Sequence, residues 1–140
     1  MFKKSETGRI GEDIACEYLI NKGFTVIERN FRRPWGELDI VSQAPDGTLV
    51  FVEVKTLRRG SGQAIQQDNS AIQELPNYLA ALKPEDNLTK AKLIKLQRTS
   101  YLYANKNLKL VNDKKGWRID LVAITLDSRN KPNINHYENI

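Results

Sequence analysis

The stretch WGELDIVSQAPDGTLVFVEVKT, Trp35 to Thr56, constrains the fold more than any other part of the chain. Two alternating runs, GELDIVSQ and TLVFVEVKT, flank the turn APDG. Alternate side chains of a half-buried strand share a face. Val50, Val52 and Val54 therefore point one way, and Phe51, Glu53 and Lys55 the other. In the first run Leu38 and Ile40 share a face, with Glu37, Asp39 and Val41 on the opposite one. Directly opposed residues of an antiparallel hairpin lie on the same side. Only a register whose paired numbers sum to an even value puts both aliphatic faces on the core side. Pairing Ile40 with Val52 does so, with a five-residue loop from Ala44 to Thr48. It places Asp39 opposite Glu53 and Glu37 opposite Lys55, gathering two carboxylates and an ammonium near the middle of the sheet. A solvated charged ladder would leave the same pattern, so the rest of the chain has to separate the two readings.

Glu6 to Lys22 reads as a helix, with Ser5 or Thr7 as cap and Gly23 as stop. Its apolar arc holds Ile10, Ile14, Tyr18, Ala15, Leu19 and Cys16. Glu12 falls inside that arc, where a carboxylate is costly unless paired or bound to metal. The other reading puts Glu12 at a wet margin near the helix start. Phe24 to Phe31 reads as a strand and Arg32 to Gly36 as a tight basic connection. A helix followed by three successive strands predicts a sheet that begins as a meander, with the helix packed on one face.

Leu57 to Asn87 is rich in Gly, Ser, Gln, Asn and Pro and is expected as a long, mobile or functional loop, with one short helix over Asn77 to Leu82. A second long helix follows, Thr89 to Lys106. Leu93, Leu96, Ser100, Ala104, Tyr101 and Ile94 make its expected apolar arc, with Gln97 inside it. Lys92, Lys95, Arg98 and Thr99 lie opposite. Leu108 to Val111 is expected as a short strand and Trp117 to Leu126 as a strong strand, partly buried on both faces. An edge strand is expected around Ile134 to Tyr137, with Pro132 at its exposed start. With 140 residues, no internal repeat and no second apolar pattern, residues 1–140 are expected to form one domain.

Charge narrows the function classes. The chain carries a net +5, and residues 83–118 alone hold ten Lys or Arg against three Asp or Glu. Such a surface favours polyanions. No apolar run reaches the length of a membrane span and no secretory signal opens the chain, so no membrane partner and a cytoplasmic location are expected. The single Cys16 rules out an internal disulfide and reads as a small buried apolar residue. The single His136 excludes any site built on several histidines. Any metal would need oxygen ligands, which suits magnesium or manganese. Trp35 and Trp117 read as packing residues, with Trp35, in its basic turn, the outside candidate for base stacking.

Four features converge: Glu12 on a helix, Asp39 on a strand, Glu53-x-Lys55 on the paired strand, and a basic helix. Clustered carboxylates repel unless a cation sits among them. Magnesium takes such ligands, lowers the pKa of a bound water and stabilises charge on a phosphate oxygen. A lysine two residues beyond a carboxylate points the same way, roughly 6.5–7 Å along the strand. It can orient the attacking water and offset phosphate charge, which is the chemistry of phosphodiester cleavage.

The ordered motifs GRIGE (8–12), GELD (36–39), FVEVKT (51–56) and RID (118–120) resemble the YraN-like family of predicted endonucleases. That family is placed in the PD-(D/E)xK, or restriction-endonuclease-like, superfamily and is similar to archaeal Holliday-junction resolvases. The resemblance spans Gly8 to about Tyr137 and implies an α/β fold with a mixed central sheet, beginning with an antiparallel meander and flanked by helices. It implies metal ligation by Glu12, Asp39, Glu53 and the Val54 backbone carbonyl, and a catalytic role for Lys55 alongside those carboxylates. Lys92 falls where related helices carry a basic residue near nucleic acid. Lys95, Arg98, Gln97, Arg32 and Arg33 complete the expected nucleic-acid contacts, Gln97 and Tyr101 resembling a QxxxY pattern. Arg118 and Asp120 match an Arg-x-Asp strand, where a structural salt bridge and a direct role are both open. The family's namesake Pro is replaced by Leu38, as is normal for the YraN-like pattern. The 57–87 segment is longer than the usual loop and suits three roles: shaping substrate access, ordering on binding, or self-association into a homodimer.

The leading expectation is a Mg²⁺- or Mn²⁺-dependent endonuclease acting on structured or branched DNA, with DNA preferred over RNA. The alternative is a nucleic-acid-binding module with the same fold and little or no cleavage. The intact carboxylate set favours the first, because a purely binding surface does not need costly carboxylates beside a phosphate.

Overall fold

Alternation in the hairpin and a helical period on either side of it resolve into a five-stranded sheet held between two helices. The structure, a computed structural model, describes residues 4–59 and 88–140. In chain order the elements are α1 (Glu6–Asn21), β1 (Thr25–Arg33), β2 (Gly36–Gln43), β3 (Leu49–Arg58), α2 (Lys90–Lys106), β4 (Trp117–Leu126) and β5 (Pro132–Tyr137). Strand order follows chain order. The pairs β1–β2, β2–β3 and β4–β5 are antiparallel, while β3 and β4 are parallel. A parallel pair needs a crossover, and α2 lies within it.

Local signals set the helix ends. Ser5 Oγ accepts the Gly8 N–H at 3.0 Å and starts α1, and Thr89 Oγ1 accepts the Lys92 N–H at 3.2 Å and starts α2. Gly23, at φ +89°, lets the chain leave α1. The predicted register holds: Ile40 pairs with Val52, and the connection is Ala44 to Thr48. Asp46 Oδ1 braces that loop by accepting Thr48 N–H and Thr48 Oγ1 at 3.0 and 2.7 Å.

The sheet has two buried faces. Ala15, Cys16 and Leu19 of α1 pack on Ile40, Val50, Val52, Val122, Ile124 and Leu126. Leu96, Tyr103 and Ala104 of α2 pack on Leu38, Val41, Leu49, Phe51 and Ile119 on the other face. Strands covered on both sides read as near-continuous apolar runs, which is why Ile119 to Ile124 is buried at every position. The mixed α/β sheet, opening with an antiparallel meander and flanked by helices, is consistent with the restriction-endonuclease-like core expected from the sequence. No helix among the described residues is long and apolar enough to cross a membrane.

Several expectations change. Leu38 and Ile40 do not share a face: Leu38 joins the α2 cluster and Ile40 the α1 cluster. The strand alternation breaks at Asp39, opposite the kink at Asn30 in β1. Leu108–Leu110 is one 3₁₀ turn, not a strand. Arg32 and Arg33 continue β1 opposite Glu37 and Gly36, which leaves Pro34 and Trp35 as the turn. Leu57 and Arg58 continue β3 through the ladder to β4 instead of opening the loop. The rest of that loop, the helix expected over 77–82 and the roles assigned to the segment fall mainly on residues 60–87, outside the described residues.

The apolar arc expected for α2 is rotated. Tyr101 and Ile94 are exposed, at 56% and 54%, while Thr99 and Tyr103 are buried. Polar positions can face the core here because their hydrogen bonds are satisfied internally. Thr99 Oγ1 donates to the Lys95 carbonyl at 2.9 Å, and Tyr103 Oη donates to Glu28 Oε2 at 2.7 Å. A Cβ on Gly36 would overlap the Thr99 side chain, so glycine at the start of β2 is what lets α2 sit this close. A Cβ on Gly11 would overlap Thr56 in the same way, so glycine seats α1 on β3 beside Glu12.

Candidate functional site

The ladder between β2 and β3 runs from Gln43–Leu49 to Ile40–Val52 and ends there. Asp39 and Glu53 are the next residues along, so the strands part where the carboxylates begin, and the expected ladder pairs Asp39–Glu53 and Glu37–Lys55 do not form. Asp39 fills the gap with its side chain: Oδ2 accepts the Val54 N–H at 2.9 Å. The break in alternation turns this carboxylate toward the backbone of β3. In an antiparallel arrangement the N–H and C=O of one residue face the same neighbour, so the Val54 carbonyl faces the β2 side as well.

Glu53 lies against Asp39. Burial pushes its carboxyl up to about 8, helped by the Asp39 charge and by a hydrogen bond shared with it, against the lowering influence of Lys55 and Lys4. Two carboxylates crowded in a partly desolvated site hold a proton between them unless a cation intervenes.

Glu12 comes from the α1 side and is 1% exposed. Its Oε1 accepts Arg29 Nε at 3.1 Å and Asn30 Nδ2 at 2.8 Å, and Arg29 Nη2 also reaches Asp13 at 2.6 Å. Its other oxygen, Oε2, is ion-paired with Lys4, whose ammonium also donates to Asp39 Oδ1 at 3.1 Å. A cation thus already bridges Glu12 and Asp39. Lys4, Arg29 and Asn30 were not singled out in the sequence. Arg29 and Asn30 sit in an ordinary-looking strand, and the signal that could have found them is an Asn in mid-strand. Asn30 has φ +54°, a conformation Asn tolerates better than other non-glycine residues. The kink carries its amide to Glu12.

A groove of about 520 Å³ runs between the parted strand ends and α2. Asp39, Glu53 and Lys55 line one wall, Lys92, Lys95 and Thr99 the other, and Arg33 stands at the β1–β2 turn. Lys92 and Lys95 precede the buried positions Leu96, Thr99 and Tyr103 on nearly the same helical stripe, which aims them at the groove. Gln97 and Arg98 do not join them. They line a separate depression with Tyr101, Trp117 and Arg118. Arg32 lies in the ladder opposite Glu37, outside the groove lining.

Arg118 and Asp120 form a salt bridge on β4, outside the groove lining. Asp120 is fully buried and receives Arg118 Nε at 2.9 Å, His136 Nε2 at 2.8 Å and the Asn139 N–H at 3.0 Å. Burial raises its pKa, but the bonds from His136, Arg118 and Asn139 outweigh that and hold the carboxyl below its usual value. His136 in turn contacts Tyr18 Oη at 3.1 Å, tying β4 and β5 to α1. This pair forms the structural salt bridge that was one of the two readings of the RID motif.

The donor chemistry fits a hard divalent cation. All candidate ligands are oxygens, a lysine ammonium already bridges two of the carboxylates, and the third is driven toward its neutral form by burial and by the Asp39 charge beside it. Among the described residues no three Asp, Glu, His or Cys side chains converge in one ready-made cluster. Asp39 and Glu53 form the close pair, and Glu12 is joined to it through Lys4.

Fold and site together define a mixed α/β protein with paired carboxylates and a lysine at the parted ends of two central strands, facing a basic helix. The chain belongs to the uncharacterised protein family UPF0102, whose model matches residues 11–124 and so spans every groove residue named above. It is 38% identical over 132 residues to a UPF0102 protein of Geobacter sulfurreducens, covering 92% of this chain and 83% of the relative. With one from Pelobacter propionicus it shares 35% identity over 135 residues, 95% of this chain and 80% of the relative. A shorter match, 47% over 60 residues, links it to a UPF0102 protein of Corynebacterium efficiens, covering 43% of this chain and 48% of that one.

Proposed function

We propose that this protein is a divalent-metal-dependent endonuclease that hydrolyses phosphodiester bonds in structured or branched DNA. In this reading its site is of the PD-(D/E)xK type, similar to that of archaeal Holliday-junction resolvases. The observation that carries the reading is the shared groove: Asp39, Glu53 and Lys55 face Lys92 and Lys95 across one open cleft. A solvated charged ladder would have no reason to part its strands, bury Glu12 behind them or face a basic helix.

Asp39, Glu53 and the Val54 carbonyl would hold the metal, magnesium or manganese, with Glu12 completing the acidic set. When bound there, it supplies a Lewis acid that lowers the pKa of water and offsets charge on a phosphate oxygen. The chain's own residues do the rest. The Val54 N–H fixes the rotamer of Asp39, and Arg29 and Asn30 fix that of Glu12. Lys92 and Lys95 hold the phosphates next to the one attacked. Lys55, on the strand of Glu53, orients the attacking water. The water oxygen forms the new bond to phosphorus, the bond to the leaving sugar oxygen breaks with its electron pair, and the proton released by water balances that oxygen. Cys16 is a buried free thiol, in keeping with the cytoplasmic location that belongs to this reading.

The test is cleavage of branched, nicked, single-stranded and duplex DNA with Mg²⁺ or Mn²⁺, comparing wild type with Asp39→Ala. Cutting by wild type that the substitution abolishes supports the proposal. No cutting of any substrate by pure protein leaves the binding-module reading in its place, and cutting indifferent to Asp39→Ala removes this site.

A further inference from the structure

On the other side of the β1–β2 turn from the groove lies a smaller crevice of about 110 Å³. Phe31, Trp35 and Tyr103 wall it, and Arg33, Lys106 and Asn107 form its polar rim. Among the described residues no carboxylate lines it. Arg33 lines both cavities, so one basic side chain stands between the crevice and the groove.

The aromatic walls are not equivalent. Phe31 and Tyr103 meet edge to face, with centroids 5.0 Å apart, and Tyr103 meets Phe51 in the same way at 5.6 Å. Their packing is satisfied within the α2 face of the core. Trp35 makes no ring–ring contact among the described residues and is 37% exposed. Its neighbour is a cation, the Lys106 ammonium, 5.1 Å from the ring centroid, while the Arg33 guanidinium lies 4.4 Å from that of Phe31. A part-exposed indole with an ammonium over its ring, in a crevice whose other cation lies over Phe31, is poorly explained as core packing, because core packing would cover the ring and leave the charges elsewhere.

We propose that this crevice is a nucleotide subsite that takes one unpaired base, stacked on Trp35, of a strand whose phosphates pass Arg33 into the groove. The proposal rests on the reading of the groove as a nucleic-acid site and deepens it by naming the substrate feature selected. Aromatic faces beside a basic track are the chemistry of single-strand recognition, because every base offers a π-face and every linkage a negative charge. A base inside a duplex has both faces covered by its neighbours. A base at a branch point, nick or single-stranded end does not, so the subsite selects substrates that contain such a base.

The test measures binding in chelator, without divalent metal, so that it does not depend on cleavage. Affinity is read from the anisotropy of fluorescently labelled probes, with tryptophan fluorescence recorded alongside, while wild type, Trp35→Ala, Trp35→Phe and Lys106→Ala are titrated against three probes. These are a single-stranded oligonucleotide, the same strand with abasic sites throughout, and its blunt duplex. The expected result is that the base-bearing single strand quenches wild-type fluorescence and the abasic strand does not. Trp35→Ala should weaken single-strand binding at least about fivefold, and Trp35→Phe, which keeps an aromatic face, should weaken it less. Lys106→Ala should reduce the salt dependence without restoring abasic binding. Equal affinity of wild type for the base-bearing and abasic strands, or unchanged single-strand affinity in Trp35→Ala, overturns the proposal. Loss of stacking in Trp35→Ala by a protein that never cuts DNA supports the subsite while removing the endonuclease reading. Cleavage that persists with an unaltered substrate preference in Trp35→Ala does the reverse.

Discussion

The carboxylate of Asp39 accepts the backbone N–H of Val54 at 2.9 Å, in the place where a ladder partner on β2 would otherwise stand. A side chain thus closes the end of the β2–β3 ladder, and the bond that does so also aims the other Asp39 oxygen at Lys4. Structure and chemistry are therefore separable at this residue. Asp39→Asn keeps an oxygen to accept the Val54 N–H but loses the charge. It is expected to unfold like wild type, to bind nucleic acid, and to cleave at least about a hundredfold more slowly, since even ligand-supporting residues are worth tenfold to a hundredfold. Parallel melting and cleavage assays check this, and full activity in Asp39→Asn would remove Asp39 from the chemistry.

Glu53 sets a pH dependence whose sign is fixed. Its folded value of about 8 lies above the ordinary 4.5, so between those values the folded protein keeps a proton that the unfolded chain has released. Without metal, stability should be greatest at the acidic end of that window and fall as pH rises toward 8. The melting temperature of wild type is expected to drop by on the order of 5 °C more than that of Glu53→Gln across the window. Added Mg²⁺ should flatten the decline. Parallel curves for the two proteins would show that Glu53 is not the group responsible.

Asn30 is expected to act through Glu12. Asn30→Gly keeps the positive φ and deletes the amide, so the fold should persist while Mn²⁺ affinity falls roughly tenfold or more. Asn30→Ala imposes backbone strain as well and should also melt earlier. Titration calorimetry and thermal unfolding separate the two effects, and unchanged Mn²⁺ affinity in Asn30→Gly would make the contact purely structural.

Lys4 neutralises the carboxylates when no metal does. Lys4→Met should destabilise the metal-free protein by about 2 kcal/mol, less than the 3–5 kcal/mol of a fully buried pair because the lysine is 24% exposed. The same variant should bind Mn²⁺ more tightly, because the ion no longer has an ammonium to displace. Weaker Mn²⁺ binding in Lys4→Met would contradict this competition.

The division of basic residues between two depressions predicts unequal salt effects. Lys92→Ala and Lys95→Ala should each lower the slope of log affinity against log salt by about one, and Arg98→Ala by less, because Arg98 lies outside the groove. Equal slopes for all three variants would mean that nucleic acid crosses the helix rather than following the groove.

Local rules made much of this legible. A period of two, with apolar residues on set positions, limited the hairpin to registers that put both aliphatic faces on the core side, and the Ile40–Val52 pair, with its five-residue loop, is one of them. Ser5 and Thr89 mark helix starts through hydrogen bonds to residues three positions away, which is information carried within one turn. Glu12 was suspect because it interrupts an apolar arc, and it is buried. The rotation of α2 was not legible. Hydrophobicity alone favours Tyr101 over Thr99 for the core, and only the bare Cα of Gly36, distant in sequence, makes Thr99 the closer fit. The strand expected at Leu108 failed because a short apolar run has no period long enough to tell a strand from a 3₁₀ turn.

Residue pattern alone was enough to name the elements, their pairing at the hairpin and the four charged side chains Glu12, Asp39, Glu53 and Lys55, because each leaves its mark within a turn or two of its own strand or helix. Tertiary structure decided how those charges meet. The kink at Asn30, the parting of β2 from β3 at Asp39, the ammonium of Lys4 between two carboxylates and the division of the basic residues between two cavities all join residues far apart in the chain. Contacts of that kind arise from how whole elements pack, and no local period records them.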